Sequence, residues 1–376
     1  MRIALLALHF AEYATLLAIA LSKAHEVLLI LSEPNFENEI GDRSVFSDKE
    51  HLQVAMLPHK RDARLIVSNI QRLRKLVNTF EPDIIHCQEE AKDALIGALP
   101  FLPDVPFVLT VHDPIMHSGA DTRKIRYSRR RYYLSFLRRR ADAAIVHGKP
   151  MLELAETVIP ALKGRIFSVA HGPLGRLFSA QPDTDWQVGN CLFFGRMEEY
   201  KGLQYFVEAV RILRSQGVAI TGVVAGRGPE LERMKPGLLG DSAFVIKDRY
   251  LTPGEVADCF RQAHMVVMPY TDASQSGVAA FAMGMGRPAV SSNVGALPEI
   301  VRHGETGLLV PPRDSSALAS AMLRIFESRV LAARMAKNAS RLADEELSWR
   351  EIARHTEQVY AFTMTGRQRL NRVRSV

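Results

Sequence analysis

Residues 264–312, HMVVMPYTDASQSGVAAFAMGMGRPAVSSNVGALPEIVRHGETGLLVPP, restrict the fold of this chain more than any other stretch. The apolar run Met265–Met268 stops at Pro269, as a strand buried on both faces of a parallel sheet does. Asp272-Ala-Ser-Gln-Ser-Gly277 then opens a small-residue helix predicted from Val278 to about Met285. Gly284, Gly286 and Pro288 end that helix, and Ala289–Ser292 is the next predicted strand, before a loop rich in Gly, Pro and Glu. Polar groups and backbone N–H groups at a strand's carboxyl end, leading into a helix N-terminus, suit an anion. On spacing alone this is a generic α/β phosphate or ligand site, or merely a tight connector.

Two further junctions narrow the reading. Cys191-Leu-Phe-Phe-Gly-Arg196 is a strand ending on a glycine and an arginine, and Lys201-Gly202 opens the following helix. Ile220–Ala225 is another strand, followed by Gly226-Arg-Gly-Pro-Glu230 and a helix. Positive charge, close backbone approach and helix N-termini are what a nucleotide diphosphate requires. The first half alternates in the same way. Strands are predicted over Arg2–Leu8, Glu26–Leu31, Asp83–Cys87, Phe107–Val111, Ala143–Val146 and Ile166–Ala170, with helices over about 13–23, 62–80, 122–140 and 150–158. This pattern implies parallel sheets covered on both faces. A length of 376 residues favours two domains, and Leu174–Val188, with little periodicity, suits a linker.

Composition removes several function classes. The three cysteines, Cys87, Cys191 and Cys259, are far apart without CxxC spacing or clustered histidines, so neither a disulfide framework nor a zinc site is expected. The N-terminal apolar run is interrupted by His9, Glu12 and Tyr13 and reads as a first buried strand and helix, not a leader. No segment reaches the roughly 18 uninterrupted apolar residues of a membrane span. A cytoplasmic protein is the expectation. The +7 net charge is local. Residues 122–140, TRKIRYSRRRYYLSFLRRR, hold nine Lys/Arg and no acid, and without them 39 basic residues face 41 acidic ones. Arg367, Arg369, Arg372 and Arg374 form a smaller cluster. Tyr127, Tyr132, Tyr133, Phe136 and Leu137 interleave the arginines of 122–140. With nothing else resembling a nucleic-acid module, a helix lying on anionic lipid headgroups at the inner face of the membrane fits better than nucleic acid. A solvated helix, or arginines lining an acceptor pocket, is the alternative.

The segments FFGRMEEYKGL, AGRGPELERM, MPYTDASQSGV and GRPAVSSNVGALPEIVRHGETGLLVPPRD, in this order over about 190–315, resemble the donor half of a family 4, GT-B-fold glycosyltransferase, with weaker echoes in LTVHDP and VAHG. The resemblance implies two Rossmann-like domains facing across a cleft: residues 1–175 for the acceptor, 189–348 for the nucleotide sugar, and a C-terminal helix with a basic tail, 349–376, crossing back toward the first domain. It implies transfer of a sugar from a nucleotide-diphosphate sugar to a glycan or lipid-linked acceptor, with retention of configuration, in cell-surface polysaccharide biosynthesis. The nucleotide sugar is a co-substrate. No cofactor is expected, and no Asp-x-Asp cluster is present to hold a metal.

Under that resemblance Arg196 and Lys201 neutralise the leaving diphosphate. Fixed cations where charge develops lower the barrier as well as the dissociation constant. Gly226 and Gly228 match a Gly-x-Gly-Pro turn. Asp272, Gln275, Ser276 and Gly277 offer donor-binding groups, while Glu299, in GALPE, serves either donor binding or a helix first turn. His112 faces the transferred sugar, with Asp113 beside it for recognition or proton transfer. His171 and Gly172 match a segment at the cleft floor; plain loop roles are the alternative for each. Two features depart from the family. The glycine-rich loop after the first strand is replaced by His9-Phe-Ala-Glu-Tyr-Ala, and the Glu-x7-Glu pair falls on Ala273 and Phe281. Either Asp272, Gln275 and Ser276 replace the glutamates, or the chain is a catalytically silent subunit binding a nucleotide sugar or an active partner. A sugar-nucleotide epimerase would need cleft carboxylates that the sequence does not identify.

Overall fold

A computed structural model describes residues 1–58, 63–90, 92–115, 129–178 and 186–374, side chains of 63, 129, 130 and 367–374 excepted. The first sheet holds β1 (Arg2–Ala7), β2 (Glu26–Ser32), β3 (Leu52–Leu57), β4 (Ile84–Gln88), β5 (Phe107–Thr110), β6 (Ala143–Val146) and β7 (Ile166–Ser168). Their order is β3-β2-β1-β4-β5-β6-β7, every pair parallel. The second sheet holds β8 (Asn190–Phe194), β9 (Thr221–Ala225), β10 (Phe244–Lys247), β11 (Met265–Met268), β12 (Ala289–Ser292) and β13 (Gly307–Val310), ordered β10-β9-β8-β11-β12-β13 and again all parallel. Central strands such as IIHCQ, MVVM and AVSS are buried throughout, the condition for a parallel sheet covered on both faces. Each order reverses once, between β1 and β4 and between β8 and β11. Open α/β sheets bind ligands outside the carboxyl ends of strands at such reversals.

The chain divides into two compact units: one takes the described residues of 1–115 and 129–171 with the terminal helix from Trp349, the other those of 172–348. In the first, the helix Trp349–Arg374 is held by its inward face. The Tyr360 hydroxyl lies 2.7 Å from His86 Nδ1, Glu357 lies 2.9 Å from His25 Nε2, and Phe362 packs edge-on to Phe167.

His86, on β4, is fully buried, and its Nε2 lies 2.7 Å from the Thr110 hydroxyl. Burial pushes its pKa down to about 3. The folded value therefore lies below the unfolded one near 6.5, and between the two the unfolded chain binds the extra proton. Stability is thus full above about pH 6.5 and falls as pH drops toward 3, by up to about 1.4 kcal/mol per pH unit. Thermal melts near neutral pH and near pH 5 are expected to show this loss, and His86→Gln to lessen it by His86's own share, the other buried histidines with lowered values keeping theirs.

The sequence reading placed most central strands to within two residues. Three strands escaped it, Leu52–Leu57, Phe244–Lys247 and Gly307–Val310, all at sheet edges; in the first two, half-exposed residues blur the apolar run. The loop expected after Ser292 contains β13. The linker expected over 174–188 is built into the second unit at its described ends: the Leu174 N–H donates to the Ala280 carbonyl at 3.1 Å, and Trp186 is buried and stacked on His264. Of the helix expected over 122–140, Arg129–Arg140 is helical and 122–128 lie outside the described residues. Cys87, Cys191 and Cys259 are buried and unbridged.

Candidate functional site

In the second unit, the loops leaving β8 and β9 lie against one another. The Gly195 N–H donates to the Ala225 carbonyl at 3.0 Å and the Met197 N–H to the Arg227 carbonyl at 2.9 Å. A Cβ on Gly226 would overlap the Gly195 carbonyl oxygen, and one on Gly228 would meet the Met197 carbonyl oxygen at 2.6 Å. These two glycines therefore let the two loops touch. Lys201 ends a short 3-10 turn, Glu199–Lys201, and its side chain turns inward: it is 9% exposed, with Nζ 5.3 Å from the centre of the Tyr270 ring. A Cβ on Gly195 would come within 2.7 Å of Nζ, so glycine there makes room for the ammonium. Burial pushes the Lys201 pKa down, and the positive charge of Arg196 adds to that. Arg196 itself is exposed. Among the described residues no carboxylate oxygen lies within ion-pair distance of Lys201; the Tyr270 ring, the Arg196 charge and, farther off, Tyr200 and the buried Glu198 carboxylate, which partly offset the effect of burial, are its surroundings. Burying an ammonium is costly, and β8 stands at the sheet reversal, the place where open α/β sheets bind ligands.

Across that reversal, β11 leads through Asp272, Ala273, Ser274 and Gln275 to the helix Gly277–Gly284. Ser276 caps it, its Oγ accepting from the Ala279 N–H at 3.2 Å. Ser276 and Ala273 are buried, Gln275 and Gly277 are half-buried, and Asp272 is exposed. Gln275 Oε1 is buried without a hydrogen-bond partner. Of the two positions where the family carries glutamate, Ala273 sets its carbonyl oxygen where a Cβ on Gly295 would overlap it, and Phe281 lies in the hydrophobic core with its ring 4.5 Å from that of Phe260. Glu299 is half-buried in the first turn of the short helix Leu297–Ile300.

In the first unit, the carboxyl ends of three adjacent strands each carry a histidine: His112 after β5, His147 after β6 and His171 after β7. All three are buried, at 2, 2 and 6% exposure. Ring centroids of His147 lie 4.9 Å from those of both His112 and His171, and the Tyr13 ring touches all three. Burial holds His112 well below the usual histidine range and pushes His147 down to about 3, so both rings are neutral near pH 7. The sequence reading found His112 and His171 but missed His147 and saw no clustering. That is corrected here: residues 35 and 24 positions apart meet because their strands are neighbours. The recurrence of a histidine at three strand ends was the available signal. Asp113 is half-buried, and its carbonyl accepts from Arg138 at 3.5 Å; Gly172 is buried.

Where the family has a glycine-rich loop, Phe10 adopts the left-handed conformation, φ 62° and ψ 49°, and its ring stacks on His112 at 3.7 Å. The first amides of the helix Ala11–Leu21 are taken internally: Asn35 Oδ1 accepts from Ala11 at 2.9 Å and Glu39 Oε2 from Glu12 at 3.0 Å.

The basic helix Arg129–Arg140 is only partly a surface. Arg138 forks onto the buried Glu89 carboxylate at 2.6 and 2.9 Å, and Arg140 lies over the Phe107 ring. Arg131, Tyr132, Phe136 and Arg139 remain exposed, Tyr132 at 77% and Phe136 at 44%. Among the described residues no helix is long and apolar enough to cross a membrane.

Comparison with known proteins covers both units. The model for Glycosyltransferase Family 4 matches residues 11–172, and that for Glycosyl transferases group 1 matches residues 189–328. Glycogen synthase of Mycobacterium tuberculosis is 29% identical over 307 residues, 78% of this chain and 73% of that protein. A D-inositol 3-phosphate glycosyltransferase of Streptomyces bingchenggensis is 32% identical over 244 residues, 62% of this chain and 53% of that protein. The structure of Anabaena HepE in complex with UDP and glucose superposes with a TM-score of 0.67 at 18% identity, covering 96% of this chain and 99% of that one, a likeness of fold.

Proposed function

Because this chain belongs to the family 4, GT-B-fold glycosyltransferases, we propose that it moves a hexose from a nucleotide-diphosphate sugar to a hydroxyl of a glycan or lipid-linked acceptor. The observation that carries this reading is the buried Lys201 at the end of β8, with Arg196 beside it, and burial outweighing the Glu198 charge so that its pKa is lowered. In the transfer, the bond from the anomeric carbon to the diphosphate oxygen breaks and the electron pair leaves with the nucleotide diphosphate. A bond from the anomeric carbon to the acceptor oxygen forms, and the acceptor hydroxyl's proton passes to the departing diphosphate oxygen. Lys201 and Arg196 meet the negative charge as it grows, a task that needs no metal. Gln275, with its unpartnered Oε1, and Gly277 at the helix N-terminus complete the donor contacts, with Asp272, Ser276 and Glu299 around them, while Gly226 and Gly228 hold the Arg196 loop in place. His112, neutral and buried, contacts the transferred sugar; Asp113, His171 and Gly172 lie on the acceptor side. The reading includes retention of configuration and a role in cell-surface polysaccharide synthesis.

We propose further that the protein works in the cytoplasm at the inner face of the membrane. The Tyr132–Phe136 pair, flanked by Arg131 and Arg139 on one exposed helix face, supports this. Vesicles containing anionic lipid are expected to co-float the protein and neutral vesicles to leave it behind, with Tyr132→Ser/Phe136→Ser abolishing flotation; equal flotation with both vesicle types would remove the proposal.

The transfer itself is tested by incubating the protein with UDP-, GDP-, ADP- and dTDP-sugars and a lipid extract. A glycosylated product in which the anomeric configuration of the donor is kept is expected. Phe281 in the core, where relatives carry glutamate, favours one second reading, a silent subunit that binds donor without transfer. Donor binding with no product from any extract would select it.

A further inference from the structure

We propose that His112, His147 and His171 form a binding site for one divalent transition-metal ion at the carboxyl ends of β5, β6 and β7. One ring nitrogen from each lies within 4.8 Å of the other two, and all three residues are buried. The hydrogen bonds around the cluster fix which nitrogens can ligate. Gln88 Oε1 and the Val169 carbonyl oxygen can only accept, so His112 Nε2, at 2.8 Å, and His147 Nδ1, at 2.9 Å, carry the protons. The lone pairs then sit on His112 Nδ1 and His147 Nε2. These two nitrogens are buried and have no hydrogen-bond partner.

That arrangement is poor packing and good coordination chemistry. An unpaired buried acceptor is a cost that native cores avoid, and here two occur in adjacent rings with a third imidazole beside them. A metal-bound histidine has the same construction: a neutral ring whose outer N–H is held by a carbonyl oxygen, fixing tautomer and orientation. Both rings meet it independently, one through a glutamine side chain and the other through backbone. The rings of Phe10 and Tyr13 wall the cluster on the side of the first helix.

Three neutral imidazoles select ions of the zinc, copper, nickel and cobalt group over magnesium or calcium, which require oxygen. Bonds of about 2.0–2.1 Å give a tetrahedral site edges of roughly 3.3 Å. The widest nitrogen pair therefore closes by about 1.5 Å on binding, within reach of small side-chain rotations at strand ends. Three protein ligands leave a fourth position for water or a substrate oxygen.

The test uses the untagged full chain, stripped with a chelator and titrated with zinc sulfate by calorimetry and with cobalt(II) by visible absorption. One ion per chain is expected, with the intense ligand-field bands of a four-coordinate cobalt site and a rise in Tm with zinc. His147→Gln and His171→Asn are each expected to weaken zinc at least tenfold, and Gln88→Leu by about 10–100-fold through the lost outer hydrogen bond. Circular dichroism of each variant separates loss of the site from loss of the fold, and the wild-type stoichiometry depends on no variant. No uptake of either ion by the wild type would overturn the proposal. So would zinc affinity unchanged in folded His147→Gln and His171→Asn.

Discussion

Replacing Phe281 by glutamate, the residue the family carries at that position, is expected to destabilise the protein by about 4 kcal/mol or more. The ring is 8% exposed, sits 4.5 Å from Phe260 and stacks on Phe178. The Cβ that Gly175 lacks would fall 2.8 Å from its edge. Glutamate would forfeit that packing and place a carboxylate in a cluster of Ala, Met and Phe side chains. Either effect alone is worth about 3–5 kcal/mol, against a typical total of about 5–15. Phe281→Leu, which stays apolar, is expected to cost about 1–2 kcal/mol. Chemical denaturation of the three proteins measures both differences. If the glutamate variant matched the wild type in stability, the position would open onto a polar pocket and the missing pair would be a simple substitution. With the expected loss, the departure is a repacked core, and donor recognition rests on other groups.

Lys201→Ala is expected to lower the turnover of the nucleotide sugar by about 10²–10³-fold, and Arg196→Ala by about tenfold. The difference follows from burial. Lys201 is held against the Tyr270 ring in a space that Gly195 leaves for it, where little water screens its charge. Arg196 stands in solvent, where charge is screened and side-chain order has to be gained on binding. Initial rates at saturating donor separate the two effects, since loss of an interaction made only in the transition state lowers kcat without raising KM. Equal losses for the two variants would mean that the loop as a whole, not the buried charge, carries the effect.

The parts of this account legible in the sequence are those written in consecutive residues. Apolar runs ending at Gly or Pro located β8, β9 and β11, the Gly/Pro end of the preceding helix located β12, and the spacing of Arg196 and Lys201 across one turn placed both at the end of β8. Lys201 was legible as a cation but not as a buried one; that depends on Gly195 and on Tyr270, which arrives from another strand. Ser276 was legible as a polar group at a helix start, but its hydroxyl's role as the cap of that helix was not. Phe281 looked like an absent glutamate, and its place in the core appears only when the helix is packed on Phe260. The histidine cluster is the extreme case. His112, His147 and His171 are distant in sequence, and only the order β5-β6-β7 makes them neighbours. The arginines of 129–140 read as one charged surface, whereas the helix turns Arg138 toward Glu89 and leaves Arg131 and Arg139 in solvent. Side-chain direction on a helix is set by packing that composition does not contain.

Calorimetric titration of UDP, GDP, ADP and dTDP into the wild type and Lys201→Ala tests most directly whether a nucleotide diphosphate is what the buried ammonium awaits. The account predicts that one of the four binds the wild type and binds Lys201→Ala at least about tenfold more weakly. A diphosphate that binds both proteins with the same affinity would contradict it.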